Sequence, residues 1–120
     1  MTTLNGMGQR TVEVKTANYT LTANDCGKTF TNEGAGAAVT FALPAATAAR
    51  VGLWYRFVAK ASQEIRIDPN GTETIALDTG AQQAAGAYIT FNLIGERVSV
   101  ECVKAGEWET FDPIGTITAV

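Results

Sequence analysis

Apolar residues alternate with polar residues along much of the chain. The alternating sets are Val12 and Val14; Tyr19 and Leu21; Val39, Phe41 and Leu43; Ile65 and Ile67; Ile89, Phe91 and Leu93; and Val98, Val100 and Cys102. A period of two residues indicates a strand with one buried face, because successive side chains of a strand point to opposite sides. The pattern therefore predicts a series of short, half-buried β-strands.

Turn-forming residues separate these segments. They cluster at 24–25, 32–36, 68–71, 78–80, 95, 106 and 112–113. Short strands divided by turn signals at such intervals are typical of a sandwich or a barrel. We predict an all-β fold over residues 11–120, a single compact β-sandwich or barrel of short antiparallel strands. Residues 1–10 lack periodicity and are predicted to form an N-terminal arm.

One segment is apolar on both of its faces. Residues 53–59 read LWYRFVA, in which Arg56 is the polar exception. A strand of this kind is covered on both sides. If Tyr55 and Phe57 point into the core, Trp54 and Val58 point the other way, toward a neighbouring subunit or a ligand.

The composition argues against nucleic-acid and membrane binding. The chain has 120 residues, of which 18% are charged, and a formal net charge of −3 with no cluster of Lys and Arg. It therefore has no basic stripe that could neutralise a phosphate backbone, and it lacks the roughly 18 consecutive apolar residues that cross a bilayer. Without a signal-peptide pattern we expect synthesis in a cytoplasm and free thiols at Cys26 and Cys102.

Chemistry is restricted by the absence of histidine. This absence removes the commonest general base, the usual catalytic triads and most transition-metal sites. We interpret Glu107 and Glu109 as the polar side of an edge strand around Trp108, and aspartates such as Asp68 and Asp112 as turn formers. We expect no enzyme, no metal and no cofactor. A glycan hydrolase, which needs two opposed carboxylates, is the enzymatic alternative.

A series of segments resembles a module found repeatedly in bacteriophage virion proteins. The segments are YTLT at 19–22, GKTFTN at 27–32, VTFALP at 39–44, GLWYRF at 52–57 and IRIDP at 65–69, and the similarity continues through residues 89–108. The chain is similar in this respect to head decoration (cement) proteins and to tail-fibre β modules. The matching residues are scaffold residues, so the resemblance implies a fold and a setting but no catalytic residues.

The resemblance implies a structural function. Because the module nearly fills a chain that starts at Met1, we favour a capsid decoration protein, a homotrimer that binds the major capsid protein of an assembled phage capsid and stabilises it by mass action. It would be made in the bacterial cytoplasm and reside on the virion surface. The alternative is a receptor- or glycan-binding module of a tail fibre or baseplate, which predicts an exposed aromatic cluster rimmed by Asn and Gln. A bacterial β domain of another role is a third interpretation.

The implied contacts fall on two surfaces. The trimer interface is predicted on the outward side of the apolar strand, at Trp54, Arg56 and Val58. The capsid contact is predicted on the N-terminal arm, at Thr2, Leu4, Met7 and Arg10. The arm is predicted to become ordered when it meets the shell, as binding-coupled segments do.

Overall fold

Short β-strands are the main regular structure of residues 9–77 and 81–120, the part of the chain that the computed structural model describes. In chain order they are β1 (Val12–Val14), β2 (Tyr19–Thr20), β3 (Thr29–Thr31), β4 (Val39–Ala42), β5 (Trp54–Val58), β6 (Ile65–Asp68), β7 (Thr74–Ala76), β8 (Ile89–Phe91), β9 (Arg97–Lys104), β10 (Glu107–Ile114) and β11 (Thr118–Ala119). Two single-turn 3₁₀ helices span Ala23–Asp25 and Ala48–Arg50. The all-β prediction is confirmed.

The strands form two sheets that enclose one core. Sheet A has the order β1-β3-β5-β9-β10-β7, and sheet B has the order β11-β8-β6-β4-β2. Within the described residues no strand pairing joins one sheet to the other, so the fold is a sandwich and not a barrel. From β1 to β9 the chain changes sheet after every strand.

The direction of the strands departs from the prediction. Among residues 9–77 and 81–120, five of the nine strand pairings are parallel: β1 with β3, β3 with β5, and β7 with β10 in sheet A, and β2 with β4 and β4 with β6 in sheet B. The prediction of antiparallel strands is therefore wrong for most of the fold. A chain that crosses to the other sheet after each strand returns to the first sheet in its original direction, beside the strand that it left.

The core lies where the alternation predicts it. The inward residues of β4, β6, β8 and β9 are buried: Val39, Phe41, Ile65, Ile67, Ile89, Phe91, Val98, Val100 and Cys102. Phe30, Phe41 and Phe57 form an aromatic cluster between the sheets, with ring centroids 5.0 to 6.0 Å apart. Burying each such ring contributes roughly 1.5 to 3 kcal/mol to stability.

Some predicted faces are reversed. Leu93 is 61% exposed because β8 ends at Phe91 and the chain turns before Leu93 could point inward. Val12 and Val14 are 59% and 51% exposed because they lie on the outward face of edge strand β1. The interpretation of residues 107–109 as an edge strand is also wrong, because β10 lies between β9 and β7. Trp108 in this strand is completely buried.

Glu96 holds the segment that crosses from sheet A back to sheet B. Its Oε1 accepts hydrogen bonds from the backbone N–H groups of Asn92 (3.2 Å) and Leu93 (2.9 Å), and its Oε2 accepts one from that of Thr116 (2.8 Å). Gly115, at φ +94°, packs so closely on this side chain that a Cβ would collide with it. Burial raises the pKa of Glu96, but the three backbone donors outweigh burial and hold that pKa below its ordinary value.

Both cysteines are free: Cys26 is exposed and Cys102 is buried in the core. Among the helices of the described residues, none has the length and hydropathy needed to cross a membrane.

Candidate interaction surface on sheet A

The outer face of sheet A is built from rows of paired residues on neighbouring strands. The first row is Val14, Thr31, Val58, Arg97 and Ile114; the second is Val12, Thr29, Arg56, Ser99 and Phe111; the third contains Trp54, Glu101 and Glu109. Paired residues share one face of a sheet, so all these side chains project from the side opposite the core.

The middle of this face is closed and its rim is open. Thr29, Thr31, Val58 and Ser99 are buried among the longer side chains around them, and Val58 retains only 9% of its surface. At the two sides of the face, Val12, Val14 and Ile114 are more than half exposed. The face therefore offers an apolar rim rather than a flat apolar centre.

A groove of about 420 Å³ lies on this face. We call it the arginine groove, and it is defined by Arg10, Trp54, Arg56, Arg97, Phe111 and Asp112. A second, shallower depression shares Arg10, Trp54 and Phe111 and adds Glu101. The groove joins the segment before β1 to strands β5, β9 and β10.

Trp54 is packed from several sides. The guanidinium carbon of Arg10 lies 5.0 Å from the ring centroid, in cation–π geometry, and the ring of Phe111 lies 6.1 Å away, tilted by 55°. Gly27, at φ +81°, lies against the nitrogen-bearing edge of the indole and donates its N–H to the carbonyl oxygen of Trp54 at 2.7 Å. One face of the indole is therefore covered by a cation of the same chain.

Three guanidinium groups line the groove. Among the salt bridges of the described residues, none includes Arg10, Arg56 or Arg97; Arg97 donates from Nε to the carbonyl oxygen of Gly95 at 3.3 Å. Asp112 lines the same groove without forming an ion pair within those residues. Guanidinium groups in this state present forked N–H donors that match a carboxylate or a phosphate.

A bulge in β10 shapes one wall of the groove. The pairing with β9 shifts by one residue between Phe111 and Ile114, and Asp112 has φ +52°, the one non-glycine residue in the left-handed region among the described residues. The turn predicted at 112–113 is thus a bulge inside a strand. Because a bulge adds one residue on one strand, it keeps Phe111 and Ile114 on the same outer face although they are three positions apart.

A polar network anchors the edge strand beside the groove. Lys28 Nζ lies 2.7 Å from Glu13 on β1 and 3.0 Å from the buried Asp25, and Asp25 also accepts hydrogen bonds from the Tyr19 hydroxyl (2.9 Å) and the Thr22 N–H (3.0 Å). Burial raises the pKa of Asp25, but the bonds from Lys28, Thr22 and Tyr19 outweigh it and lower that pKa overall. The network holds β1 against β3. It thereby also positions residues 10–11, which directly precede β1 and include Arg10 of the groove.

The structure brings together residues that the sequence assigned to two different surfaces. Trp54 and Arg56 of the predicted trimer interface line the arginine groove with Arg10 of the predicted capsid contact. Val58 shares their face but is buried within the chain, so it offers little surface to a partner. The other predicted capsid contacts, Thr2, Leu4 and Met7, lie outside the described residues.

Three members of the groove were not predicted on this face. Arg97 comes from β9, where its alternation with the inward Val98 already indicated an outward side chain. Phe111 stood out in the sequence only as one of several aromatic residues and Asp112 only as a turn former, because the bulge in β10 sets their positions. Among the described residues that line the groove and the adjoining depression there is no Asn or Gln, the residue types that the glycan-binding alternative predicts at the rim.

Within residues 9–77 and 81–120, no three metal-ligating side chains of the His, Cys, Asp and Glu types come together. No protein-family model matches the chain, and no curated protein has significant sequence similarity to it. The outer face of sheet A is thus the feature from which function is argued.

Proposed function

We propose that the chain is a non-enzymatic capsid decoration protein of a bacteriophage, which binds the surface of the assembled capsid as a homotrimer and stabilises it. The observation that carries this proposal is the outer face of sheet A. It combines exposed aliphatic residues at its rim with Trp54 and three arginines in a groove. Trp and Arg are the residue types most enriched where proteins bind one another.

A protein partner suits this face better than a small molecule. The groove is open and runs across a sheet, whereas small-molecule sites are mostly enclosed cavities that bury most of the ligand. The ring of Trp54 carries Arg10 on one face, which removes part of the platform on which a sugar would stack.

The fold supports this role mechanically. The docking residues lie on β-strands whose other faces are packed in the core, so a partner meets a preorganised surface and little conformational entropy is lost on binding. A protein that binds only the assembled shell stabilises it in proportion to its binding free energy. Three linked copies raise the effective concentration of each contact without any new interaction.

The first test is the solution mass of the purified chain by light scattering, followed by co-sedimentation with undecorated phage capsids. We expect a trimer that pellets with capsids. A monomer that stays in the supernatant would overturn the proposal. If that monomer then bound an oligosaccharide panel, the receptor- or glycan-binding alternative would replace it, with the Trp54 and Phe111 pair as the binding site.

A further inference from the structure

We propose that the arginine groove binds carboxylate groups of an acidic, partly apolar peptide segment on the protein to which the chain docks. This inference rests on the proposed function for the kind of partner, and it adds the chemistry by which the partner is recognised. The partner segment is expected to carry Asp or Glu side chains spaced by aliphatic ones.

The position of Arg56 and Arg97 is the first argument. Arg56 pairs with Ser99, and Arg97 pairs with Val58, so the two arginines are diagonal neighbours on adjacent strands. Diagonal residues on one face are roughly 7 to 8 Å apart, within reach of long side chains that converge on one group. Arg10 lies before β1, lines the groove as well, and packs its guanidinium group on the ring of Trp54.

The second argument is that the fold pairs a comparable arginine elsewhere. Arg66 projects from the outer face of sheet B, where its Nε lies 2.7 Å from Glu64 Oε1 and its guanidinium carbon lies 5.4 Å from the Tyr88 ring centroid. The three arginines of the groove form no salt bridge within the described part of the chain. Apart from Arg97 Nε, which donates to the Gly95 carbonyl oxygen, their donors are therefore available for carboxylates of a partner.

The surrounding charges restrict which anion fits. Asp112 lines the groove, Glu101 lines the adjoining depression, and Glu109 is paired with Glu101 on the same face. These carboxylates, together with the net charge of −3, disfavour a densely charged polyanion such as nucleic acid. Glu101 and Glu109 belong to the row of Trp54, whereas Asp112 lies in the bulge between the rows of Arg56 and Arg97. One acidic side chain beside these two arginines still permits single carboxylates of a partner.

The apolar rim indicates what lies between those carboxylates. Val12 and Val14 flank one side of the face and Ile114 flanks the other, each more than half exposed. An acidic segment with aliphatic side chains would cover this rim while its carboxylates meet the arginines. An acidic saccharide has no aliphatic side chains for the rim, and Arg10 already covers one of the two faces of Trp54 on which it could stack.

The probe is a fluorescein-labelled peptide of alternating glutamate and valine, titrated with the full chain and followed by fluorescence anisotropy. The matched control peptide carries glutamine in place of glutamate. We expect saturable binding of the glutamate peptide, weakened by added salt, and little binding of the glutamine peptide.

Three variants locate the binding. Arg56→Gln and Arg97→Gln should each raise the dissociation constant by about tenfold, since each removes a charge-assisted fork. Arg66→Gln, the matched control on the other sheet, should leave it unchanged. Arg56→Lys keeps the charge but loses the fork, and should fall between Arg56→Gln and the native chain.

The inference would be overturned if the glutamate peptide did not bind, or if Arg66→Gln and Arg56→Gln lost binding equally. Stronger binding of a polygalacturonate oligosaccharide than of the peptide would reject the peptide partner in favour of an acidic glycan. Capsid co-sedimentation separates this inference from the proposed function. If Arg56→Gln pellets with capsids as well as the native chain does, only the groove inference fails, whereas peptide binding without capsid binding means that only the capsid role fails.

Discussion

The two sheets present opposite kinds of outer face. On sheet B the row that crosses the sheet consists of Thr40, Arg66, Thr90 and Thr118. Polar groups on this face are paired within the chain. The Glu64 carboxylate accepts hydrogen bonds from Arg66 Nε and from the Thr90 hydroxyl, each at 2.7 Å. On sheet A the corresponding rows carry exposed valines, two aromatic rings and arginines without an ion pair among the described residues.

The difference shows that strand alternation alone does not decide what an outward face does. Both faces obey the same period of two, and both have an arginine at the centre of a row. Sheet B supplies the carboxylate partner from its own chain, whereas sheet A leaves the cation beside an apolar rim. A face of the second kind has more to gain from a partner, because burying its rim and pairing its arginines occur together.

The largest expected effect is on the link between the two sheets. Glu96 accepts hydrogen bonds from two N–H groups in the turn after β8 and from one in the segment between β10 and β11, and so it links the two segments. Glu96→Ala removes this acceptor and leaves the three N–H groups without their partner in a partly closed site. We expect a loss of about 2 kcal/mol or more in the free energy of unfolding, measured by urea denaturation. Glu33→Ala, at an exposed turn position, should change stability by less than about 0.5 kcal/mol. Equal effects of the two substitutions would contradict the role given to Glu96.

The second prediction tests directly whether the partner binds the outer face of sheet A or that of sheet B. Val14→Asp places a charge on the apolar rim of sheet A, and Thr20→Asp places the same charge on the exposed outer face of sheet B. Capsid binding by the Val14 variant should weaken by about thirtyfold, equivalent to roughly 2 kcal/mol for an interface position of this kind. Co-sedimentation at increasing protein concentration measures the change. If only the Thr20 variant lost binding, the docking face would have to be moved to sheet B.

Acid should weaken the fold through carboxylates that are hydrogen-bonded in the native chain. The pKa values of Glu64, Asp25 and Glu96 lie below their ordinary values, 3.8 for Asp and 4.5 for Glu. A lowered folded-state pKa stabilises the fold above the ordinary value, and that stabilisation is lost as the pH falls through the folded value. The urea midpoint should therefore drop as the pH is taken below 4.5.

Glu64→Gln tests how much of that loss belongs to the outer face of sheet B. The Thr90 hydroxyl and Arg66 lower the pKa of Glu64, in that order of importance, and both interactions with the charged group are lost in the variant. The acid-induced drop of the urea midpoint should be smaller in Glu64→Gln than in the native chain. An unchanged drop would assign the effect to the other carboxylates with lowered pKa values, which are Glu13, Asp25 and Glu96.

The smallest effect is expected at Arg66. Its side chain is 40% exposed and its pair with Glu64 is screened by solvent, so Arg66→Gln should not shift the urea midpoint measurably at physiological salt. Arg97→Gln should likewise leave stability unchanged while it weakens partner binding. A clear loss of stability in either variant would mean that the arginine supports the fold, and the contrast between the two faces would then be weaker.

The strands were predictable because alternation is a local property. Ile65 and Ile67, like Val98 and Val100, are buried as their spacing indicates. Strand partners are not local, so the parallel pairings could not be read from the pattern. The same limit applies to Leu93, whose spacing fits a strand that in fact ends two residues earlier.

The candidate site was predictable only in part. Trp54 stood out because it makes the run at 53–59 apolar on both faces, and Arg56 because it is the polar exception in that run. Arg10 was assigned to a separate surface. Their meeting with Arg97 depends on the register between β5 and β9, which joins residues from 39 (Val58 and Arg97) to 47 (Trp54 and Glu101) positions apart. The place of Phe111 in the groove depends in addition on the bulge at Asp112. The Asp-Pro pair predicted a turn there rather than a bulge within a strand.

The alternation of strands between sheets also has a consequence for how the chain folds. Of the strand pairs in residues 9–77 and 81–120, only β9 and β10 are consecutive strands that pair with each other. Every other pairing must first close a long loop, which slows folding of such topologies to milliseconds or longer. During synthesis β1 to β8 can pair only with one another, and sheet A lacks its two longest strands until β9 and β10 follow. We therefore expect sheet A to be completed only after the β9–β10 hairpin has left the ribosome.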